Sequence, residues 1–314
     1  MTLTPDLLQR AAALKPRLVF ADGTEPAVAA AAERLVAAGI PRPLLVGASG
    51  MAPLKDERLP AIAQRLRERY PDRVRDGIDA LDQAADPLRF GAGLVALGEA
   101  EACIGGLKAG NNEVLRAALW AFGPADGIER VSSAFYLQTP AGVVTLTDCA
   151  VNPQPGPSVL AGIALAAVRD RIRLIGDKPR VAFLSYATGQ SSEGPGVELV
   201  RTALARFKAL APGVAADGPL QADAALDPEA ARVKAPASAV AGKANILVFP
   251  NLDAGNISFR LLQVLGGMRC LGPLLQGLAR PMTGLSRGAG PDDIVEMAAL
   301  AALQGSQPTI QGGV

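Results

Sequence analysis

Short apolar runs alternate with amphipathic stretches along most of the chain. Residues 17–21 form an apolar run that predicts a buried strand, and residues 26–38 have the period of a helix. The run at residues 44–46 predicts the next strand. This order is typical of a parallel β-α-β unit. Because no G-x-G-x-x-G pattern follows the first strand, the unit lacks the dinucleotide-binding fingerprint.

The alternation of predicted strands and helices continues to the end of the chain. Residues 58–85 are charged and mostly helical, with one strand expected between Val74 and Ile78. We therefore expect an α/β fold of two α/β/α lobes with a cleft between them, where ligands usually bind.

A dense proline run at residues 152–158 marks the best candidate for a crossing between domains. We predict a first α/β domain of residues 1–147 plus 284–314, and a second α/β domain of residues 148–283 inserted into it. The apolar, small-residue helix predicted near residues 256–267 is a candidate subunit interface, so the second domain is expected to dimerise.

The composition narrows the chemistry. With 31 Lys and Arg against 30 Asp and Glu, the chain carries no field that would attract nucleic acid or an anionic membrane, so small molecules are the expected partners. The absence of histidine excludes Ser-His-Asp and Cys-His catalysis and imidazole metal ligands. Acid–base chemistry must use carboxylates, cysteine or lysine.

Cysteine spacing and hydropathy predict a cytoplasmic protein. Cys103, Cys149 and Cys270 match neither a zinc site nor a disulfide framework. The most apolar run, residues 159–168, is shorter than the roughly 18 residues of a membrane span. Residues 1–14 lack the apolar core of a signal peptide.

A glycine-rich turn near the C-terminus gathers the clearest candidate chemistry. Ser286 and Arg287 precede Asp292 and Asp293, which open a predicted helix. The N–H groups of a helix start and the forked guanidinium of Arg287 favour an oxyanion, above all a phosphate. The alternative is an Asp-capped helix with an arginine on its solvated face, and these residues alone do not decide between the two.

Other candidates have simpler interpretations. Cys149 invites a covalent mechanism, but no cation adjoins it in sequence, which favours a core or cleft-lining role. Asp217, Asp223 and Asp253 are candidate ligands of a divalent metal, although helix capping and turn formation are commoner uses of such residues.

Six motifs occur in order over the second half of the chain. They are residues 147–153, 184–195, 217–225, 234–245, 249–256 and 272–293. Together they resemble the phosphate acetyltransferase/phosphate butyryltransferase family, and its acetyltransferase branch most closely. The resemblance implies reversible acyl transfer between coenzyme A and phosphate through a ternary complex, on the two-lobed isocitrate/isopropylmalate dehydrogenase-like fold. It also implies a homodimer, with no metal and no cofactor other than coenzyme A as substrate.

The resemblance also implies functional residues. Ser286, Arg287 and Asp293 fall on the catalytic positions, with Asp293 assisting thiol attack, Ser286 stabilising the developing oxyanion and Arg287 holding phosphate oxygens. A further set is expected to bind acyl-CoA, acyl phosphate or inorganic phosphate: Arg116, Arg130, Ser132, Ser133, Thr188, Gly189, Ser191, Ser192 and Asn256. Backbone N–H groups of residues 188–195 are candidates to bind the coenzyme A diphosphate.

The N-terminal half departs from the family pattern. Ala27 stands where the family has an arginine, residues 65–85 lack its basic segment, and residues 105–113 replace a hydroxyl-rich stretch. These changes leave alternatives open: an acyltransferase of altered specificity, such as a phosphate butyryltransferase, or a non-catalytic relative that binds coenzyme A or acyl phosphate. A dehydrogenase is less favoured, because neither a nicotinamide fingerprint nor a clear metal triad is present.

Overall fold

The computed structural model describes Leu3 and residues 6–47 and 51–306. The strands, in chain order, are β1 (Leu18–Phe20), β2 (Leu44–Leu45), β3 (Ala102–Gly105), β4 (Ser132–Thr139), β5 (Gly142–Thr147), β6 (Arg180–Leu184), β7 (Ala215–Leu220), β8 (Ile246–Val248), β9 (Cys270–Gln276) and β10 (Met282–Gly284). The helices are α1 (Leu7–Ala13), α2 (Pro26–Ala37), α3 (Leu59–Arg69), α4 (Gly77–Ala84), α5 (Pro87–Ala96), α6 (Asn111–Ala121), α7 (Pro157–Leu174), α8 (Pro195–Leu210), α9 (Ala222–Leu226), α10 (Pro228–Lys234), α11 (Leu252–Val264) and α12 (Pro291–Gly305).

The chain forms two compact units. Among the described residues, the first contains those up to Asp126 and residues 272–306, and the second contains Gly127–Leu271. The chain therefore crosses between units at 126–127 and at 271–272. Both crossings lie earlier in the sequence than the predicted ones, which were at 147–148 and 283–284. Whether the second unit dimerises stays a prediction.

In the first unit the strand order is β2-β1-β3-β10-β9. β1 is parallel to β2 and β3, and β10 is parallel to β3 and antiparallel to β9. The carboxyl ends of β1, β3 and β10 therefore lie along one edge. In open α/β sheets this edge is where ligands bind.

In the second unit the strand order is β4-β5-β8-β6-β7. β4 and β5 form an antiparallel hairpin, while β5, β8, β6 and β7 are parallel to one another. Because Thr145 of the hairpin pairs with Ile246 of β8, residues 127–147 fold with the second unit. The proline run at 152–158 lies inside this unit, where it connects β5 to α7.

Alternate side chains of the central strands enter two cores. Phe183, Ile246 and Val248 pack with apolar residues of α7 and α8. Ala182 and Leu247, their neighbours along the strands, pack on the opposite face. Successive side chains of a strand point to opposite faces, and a strand buried on both faces has no polar alternation. Burial on both faces explains why the sequences of these strands are continuous apolar runs.

A buried arginine links helix α7 to the sheet of the second unit. Arg171 is 1% exposed and forms an ion pair with Asp177, with Nε 2.7 Å from Oδ1. Its other N–H groups donate to Thr145 Oγ1 at 2.9 Å and to the carbonyl oxygens of Asn245 and Val143 at 2.8 and 2.7 Å. A buried guanidinium is tolerated when its donors are paired in this way.

One predicted element is wrong. The strand expected between Val74 and Ile78 does not form, because Asp76 caps α4 and accepts hydrogen bonds from the N–H groups of Ile78 and Asp79 at 2.9 Å each. An aspartate side chain that satisfies the free N–H groups of a first turn starts a helix.

The α/β fold class is confirmed, and the predicted strands and helices at residues 17–46 form within one or two residues of their expected bounds. Across the part of the chain that the structure describes, no helix is both long and apolar enough to cross a lipid bilayer.

Candidate functional site

Ser286 and Arg287 lie on an exposed turn between β10 and α12. Gly288 has φ +84°, a conformation that suits glycine, and Pro291 occupies the first turn of the helix. The N–H of Leu285 donates to the carbonyl oxygen of Gly105 at 2.8 Å, which ties the start of this turn to the end of β3. The turn is therefore held at the carboxyl edge of the first unit.

The side chains of this turn differ in how they are engaged. Ser286 Oγ donates to the carbonyl oxygen of Gly272 at 3.1 Å. The guanidinium of Arg287 forms no ion pair with any residue in the described ranges. Asp293, in the first turn of α12, is partly buried, whereas Asp292 is 85% exposed and pairs with Arg34. An exposed, uncommitted guanidinium ahead of a helix start is suited to bind an anion.

The first unit contributes a second loop to the same edge. Asp22, just after β1, accepts hydrogen bonds from the N–H groups of Gly106 and Leu107 at 2.7 and 3.0 Å. Arg116 projects from α6, the helix that follows this loop, and is exposed. Asp22 was not among the predicted site residues, although an acidic residue directly after a buried strand was a usable signal.

Two cations near this loop already have protein partners. Lys108 Nζ lies 2.5 Å from Glu25 Oε1. The guanidinium of Arg89 stacks over the Trp120 ring at 5.4 Å. Neither is free to replace a missing basic residue of the family without giving up its contact.

In the second unit, Asp148 gathers six hydrogen bonds directly after β5. Its carboxylate accepts from the N–H and the hydroxyl of Ser133, from the N–H groups of Ala150 and Val151, and from the N–H and the side-chain amide of Asn152. Asp148 is 3% exposed and Ser133 is fully buried. This arrangement holds a tight turn in place.

The predicted substrate contacts ahead of this turn are thus in different environments. Arg130 is exposed, while Ser132 is 1% exposed and its hydroxyl has no hydrogen-bond partner among the residues that the structure describes. Ser133 uses its hydroxyl on Asp148, so it supports the turn in this conformation. The structure leaves Arg130 as the accessible side chain of this group.

Thr188, Gly189, Ser191 and Ser192 lie on the loop between β6 and α8. The N–H of Thr188 donates to Ser191 Oγ at 3.0 Å. The N–H of Gln221, after β7, donates to Thr188 Oγ1 at 3.1 Å. Thr188 is mostly buried, whereas Gly189 and Ser191 are exposed.

Asn256, on α11, binds the backbone next to Asp148. Its Nδ2 donates to the carbonyl oxygen of Cys149 at 3.0 Å, and its Oδ1 accepts from Arg260 Nε at 3.1 Å. A Cβ atom at the preceding Gly255 would lie 2.4 Å from the carbonyl oxygen of Asp148, so only glycine permits this close approach.

The three cysteines are free and buried. Burial raises the pKa of the Cys149 thiol well above its ordinary value, and the neighbouring Asp148 charge raises it further. Burial likewise raises the pKa of Cys103, and it raises that of Cys270 to about 12. A thiol that resists ionisation is a poor nucleophile, so Cys149 is better explained as a core residue.

The candidate metal-binding aspartates have other partners. Asp223 Oδ2 lies 2.6 Å from Lys234 Nζ, and this hydrogen bond lowers the pKa of the carboxyl. Asp217 Oδ1 accepts from the N–H of Gly218 at 2.8 Å. Within the described ranges, no group of three or more Cys, Asp or Glu side chains is arranged to hold a metal ion.

The sequence pattern of one protein family, described as phosphate acetyl/butaryl transferase, matches residues 2–302. The chain belongs to this family. The match includes the N-terminal half, where the sequence departs most from the motifs of the family.

Individual relatives are similar over nearly their whole length. A phosphate acetyltransferase of Paracoccus denitrificans is 38% identical over 308 residues, covering 94% of this chain and 97% of the relative. One of Thermoanaerobacterium thermosaccharolyticum is 36% identical, with 97% and 99% covered. The crystal structure of a phosphotransacetylase from Streptococcus pyogenes superimposes with a TM-score of 0.86 at 32% identity, covering 96% of this chain and 98% of that one.

Proposed function

We propose that the protein transfers an acetyl group reversibly between coenzyme A and inorganic phosphate. Near full-length similarity to phosphate acetyltransferases supports the reaction. The observation that carries the proposal in this chain is the exposed Ser286–Arg287 turn ahead of α12, whose guanidinium has no protein counter-charge among the described residues. An arginine in that state suits the phosphate group of acetyl phosphate.

We assign the steps as follows. The coenzyme A thiol attacks the carbonyl carbon of acetyl phosphate, a C–S bond forms, the C–O bond to phosphate breaks, and phosphate leaves. Asp293 accepts the thiol proton, because the chain has no histidine and its cysteines are buried. Arg287 binds the phosphate oxygens, Arg116 of the same unit is a further phosphate contact, and Arg130 of the second unit is a substrate contact. The reverse reaction uses the same groups, and we propose that no metal or redox cofactor takes part.

Ser286 is assigned to the carbonyl oxygen of the acyl group, where negative charge develops. Its present hydrogen bond to Gly272, at 3.1 Å, is long for an O–H···O bond. Redirecting that hydroxyl toward the substrate therefore costs only a weak hydrogen bond.

A coupled assay of acetyl phosphate with coenzyme A tests the function, and Arg287→Ala tests the carrying observation. We expect thioester formation by the wild type and a loss of about 100-fold in kcat/KM for Arg287→Ala, the size of effect seen when a transition-state charge partner is removed. Arg280→Ala, which removes another exposed arginine of the same unit, serves as the control and should stay within twofold.

Two outcomes would select the alternatives. Faster turnover of butyryl phosphate than of acetyl phosphate would indicate a phosphate butyryltransferase. Binding of coenzyme A in calorimetry, without thioester formation from any short acyl phosphate, would indicate a non-catalytic relative.

We further propose a homodimer formed through α11. Ile257, Leu261, Val264 and Leu265 are 57%, 51%, 80% and 80% exposed, and their spacing places them on one helix face. A contiguous exposed apolar stripe of this kind is typical of an interaction surface. Light scattering should find a dimer, and Val264→Asp should yield a monomer of unchanged secondary structure. The free cysteines agree with a cytoplasmic location for this reaction.

A further inference from the structure

Two side chains outside the loop between β6 and α8 hold its backbone. Arg201, on α8, donates from Nη2 to the carbonyl oxygen of Gly189 at 3.0 Å and reaches that of Ser192 at 3.5 Å. Tyr186, ahead of the loop, donates its hydroxyl to the carbonyl oxygen of Glu193 at 3.0 Å. The loop thus has three carbonyl groups engaged by side chains.

Engaged carbonyl groups fix the direction of the adjoining N–H groups. A trans peptide is planar, and its N–H points opposite to its C=O. The N–H groups of Gln190, Glu193 and Gly194 therefore point away from Arg201 and Tyr186. No residue in the described ranges accepts a hydrogen bond from these three groups.

The start of the loop is held by its own hydrogen bonds. The N–H of Gly189 donates to the carbonyl oxygen of Pro219 at 2.9 Å, and that of Ser191 donates to the carbonyl oxygen of Thr188 at 3.1 Å. The N–H groups of Gln190 and of residues 192–194 donate no hydrogen bond among the described residues, and the carbonyl groups of Gly189, Ser192 and Glu193 are held by Arg201 and Tyr186. A loop ordered by the protein before a ligand arrives loses less entropy on binding.

We propose that Arg201 is a positioning residue for coenzyme A. By holding the carbonyl groups of Gly189 and Ser192, it orders the loop so that outward N–H groups meet the diphosphate of coenzyme A. The inference rests on the proposed function, since it assumes that this loop contacts the substrate. Arg201 does not itself touch the substrate, because its guanidinium is occupied by the loop carbonyls and lies 3.9 Å from Glu198.

Hydrogen–deuterium exchange of the substrate-free protein tests the hold on the loop. Peptides spanning Ala187 to Gly194 should exchange faster in Arg201→Ala at the three amides that are hydrogen-bonded now, those of Thr188, Gly189 and Ser191. Tyr186→Phe, which removes only the hydroxyl, should give a smaller increase. Arg206→Ala removes an exposed arginine of the same helix and should leave the exchange unchanged. Unchanged exchange in Arg201→Ala would overturn the proposal.

Steady-state kinetics test the consequence for the substrate. We expect Arg201→Ala to raise KM for coenzyme A about fivefold, as the loss of a partly exposed charge-assisted hydrogen bond implies. The values of kcat and of KM for acetyl phosphate should stay within twofold. Arg201→Lys should recover part of the loss.

The outcomes separate this inference from the function on which it rests. An active wild type with an unchanged KM for coenzyme A in Arg201→Ala overturns the inference alone. A wild type that forms no thioester contradicts the proposed function instead. In that case the dissociation constant of coenzyme A, compared by calorimetry between wild type and Arg201→Ala, supports the positioning role if it rises and overturns it if it does not.

Discussion

Asp148 and Asp293 occupy similar places in their respective units but have different surroundings. Each lies in the segment that leads from a strand to a helix: Asp148 directly follows β5 ahead of α7, and Asp293 lies in the first turn of α12, which follows β10. Asp148 is 3% exposed and accepts six hydrogen bonds, whereas Asp293 is partly buried next to an exposed turn. A carboxylate with all its lone pairs engaged stabilises a turn, while one in contact with solvent is able to exchange a proton.

The difference shows why the identity of a residue does not define its role. Both aspartates sit in family motifs, Asp148 in residues 147–153 and Asp293 in residues 272–293. The accessibility of the carboxylate separates a structural aspartate from a candidate base. Substitutions at the two aspartates are therefore expected to differ in what they change, stability at Asp148 and turnover at Asp293.

Replacing Asp148 by Ala should lower the free energy of unfolding by about 4 kcal/mol, because six hydrogen-bond donors, most of them buried, lose their acceptor. Urea denaturation followed by circular dichroism measures the loss. Ser133→Ala removes one of these donors and should cost only about 1 kcal/mol. A loss below 1 kcal/mol for Asp148→Ala would mean that the turn is held by other contacts. If Asp148→Ala does not fold, Asp148→Asn, which keeps one acceptor oxygen, should show an intermediate loss.

Replacing Asp293 by Asn, which keeps the size of the side chain, should lower kcat for thioester formation about 100-fold, the lower range for loss of a general base. The coupled assay measures the rate. Asp292→Asn is the matched control, since Asp292 is 85% exposed and belongs to the same helix turn. It should remain within twofold of the wild type. Equal activities in both variants would remove Asp293 from the mechanism.

The cysteines should show the smallest effect. Because burial raises the pKa of Cys149, its thiolate fraction stays very low at neutral and mildly alkaline pH and grows only as the pH rises further. We expect iodoacetamide at pH 8 to label the folded protein slowly at all three cysteines and to leave activity intact. Mass spectrometry of folded and urea-unfolded protein measures the labelling. Rapid labelling of Cys149 together with inactivation would revive a nucleophilic role.

Much of the fold was predictable because local signals agree with it. The apolar run at residues 17–21 became β1, which is buried on both faces, and the helix predicted at residues 26–38 became α2. Asp76 shows the limit of this approach. The sequence around Val74 favours a short strand, but the side chain of Asp76 caps α4 and a helix forms there instead.

The division into units was harder to predict for a different reason. The proline run at 152–158 is a strong local signal for a break, but the hairpin of β4 and β5 pairs with β8, which lies about 100 residues further along the chain. The unit that a hairpin joins is decided by its strand pairing, and pairing with a distant strand cannot be predicted from the local sequence.

The sequence by itself determined the family, the α/β class and the candidate chemistry of Ser286, Arg287 and Asp293, because residue types and their order suffice for these. The tertiary structure decided which polar groups are already engaged. It showed Ser133 bound to Asp148, Lys108 paired with Glu25, and Arg201 bound to the loop at Gly189. A hydrogen-bond partner many residues away is set by packing, so the availability of each group for a substrate is a property of the folded chain.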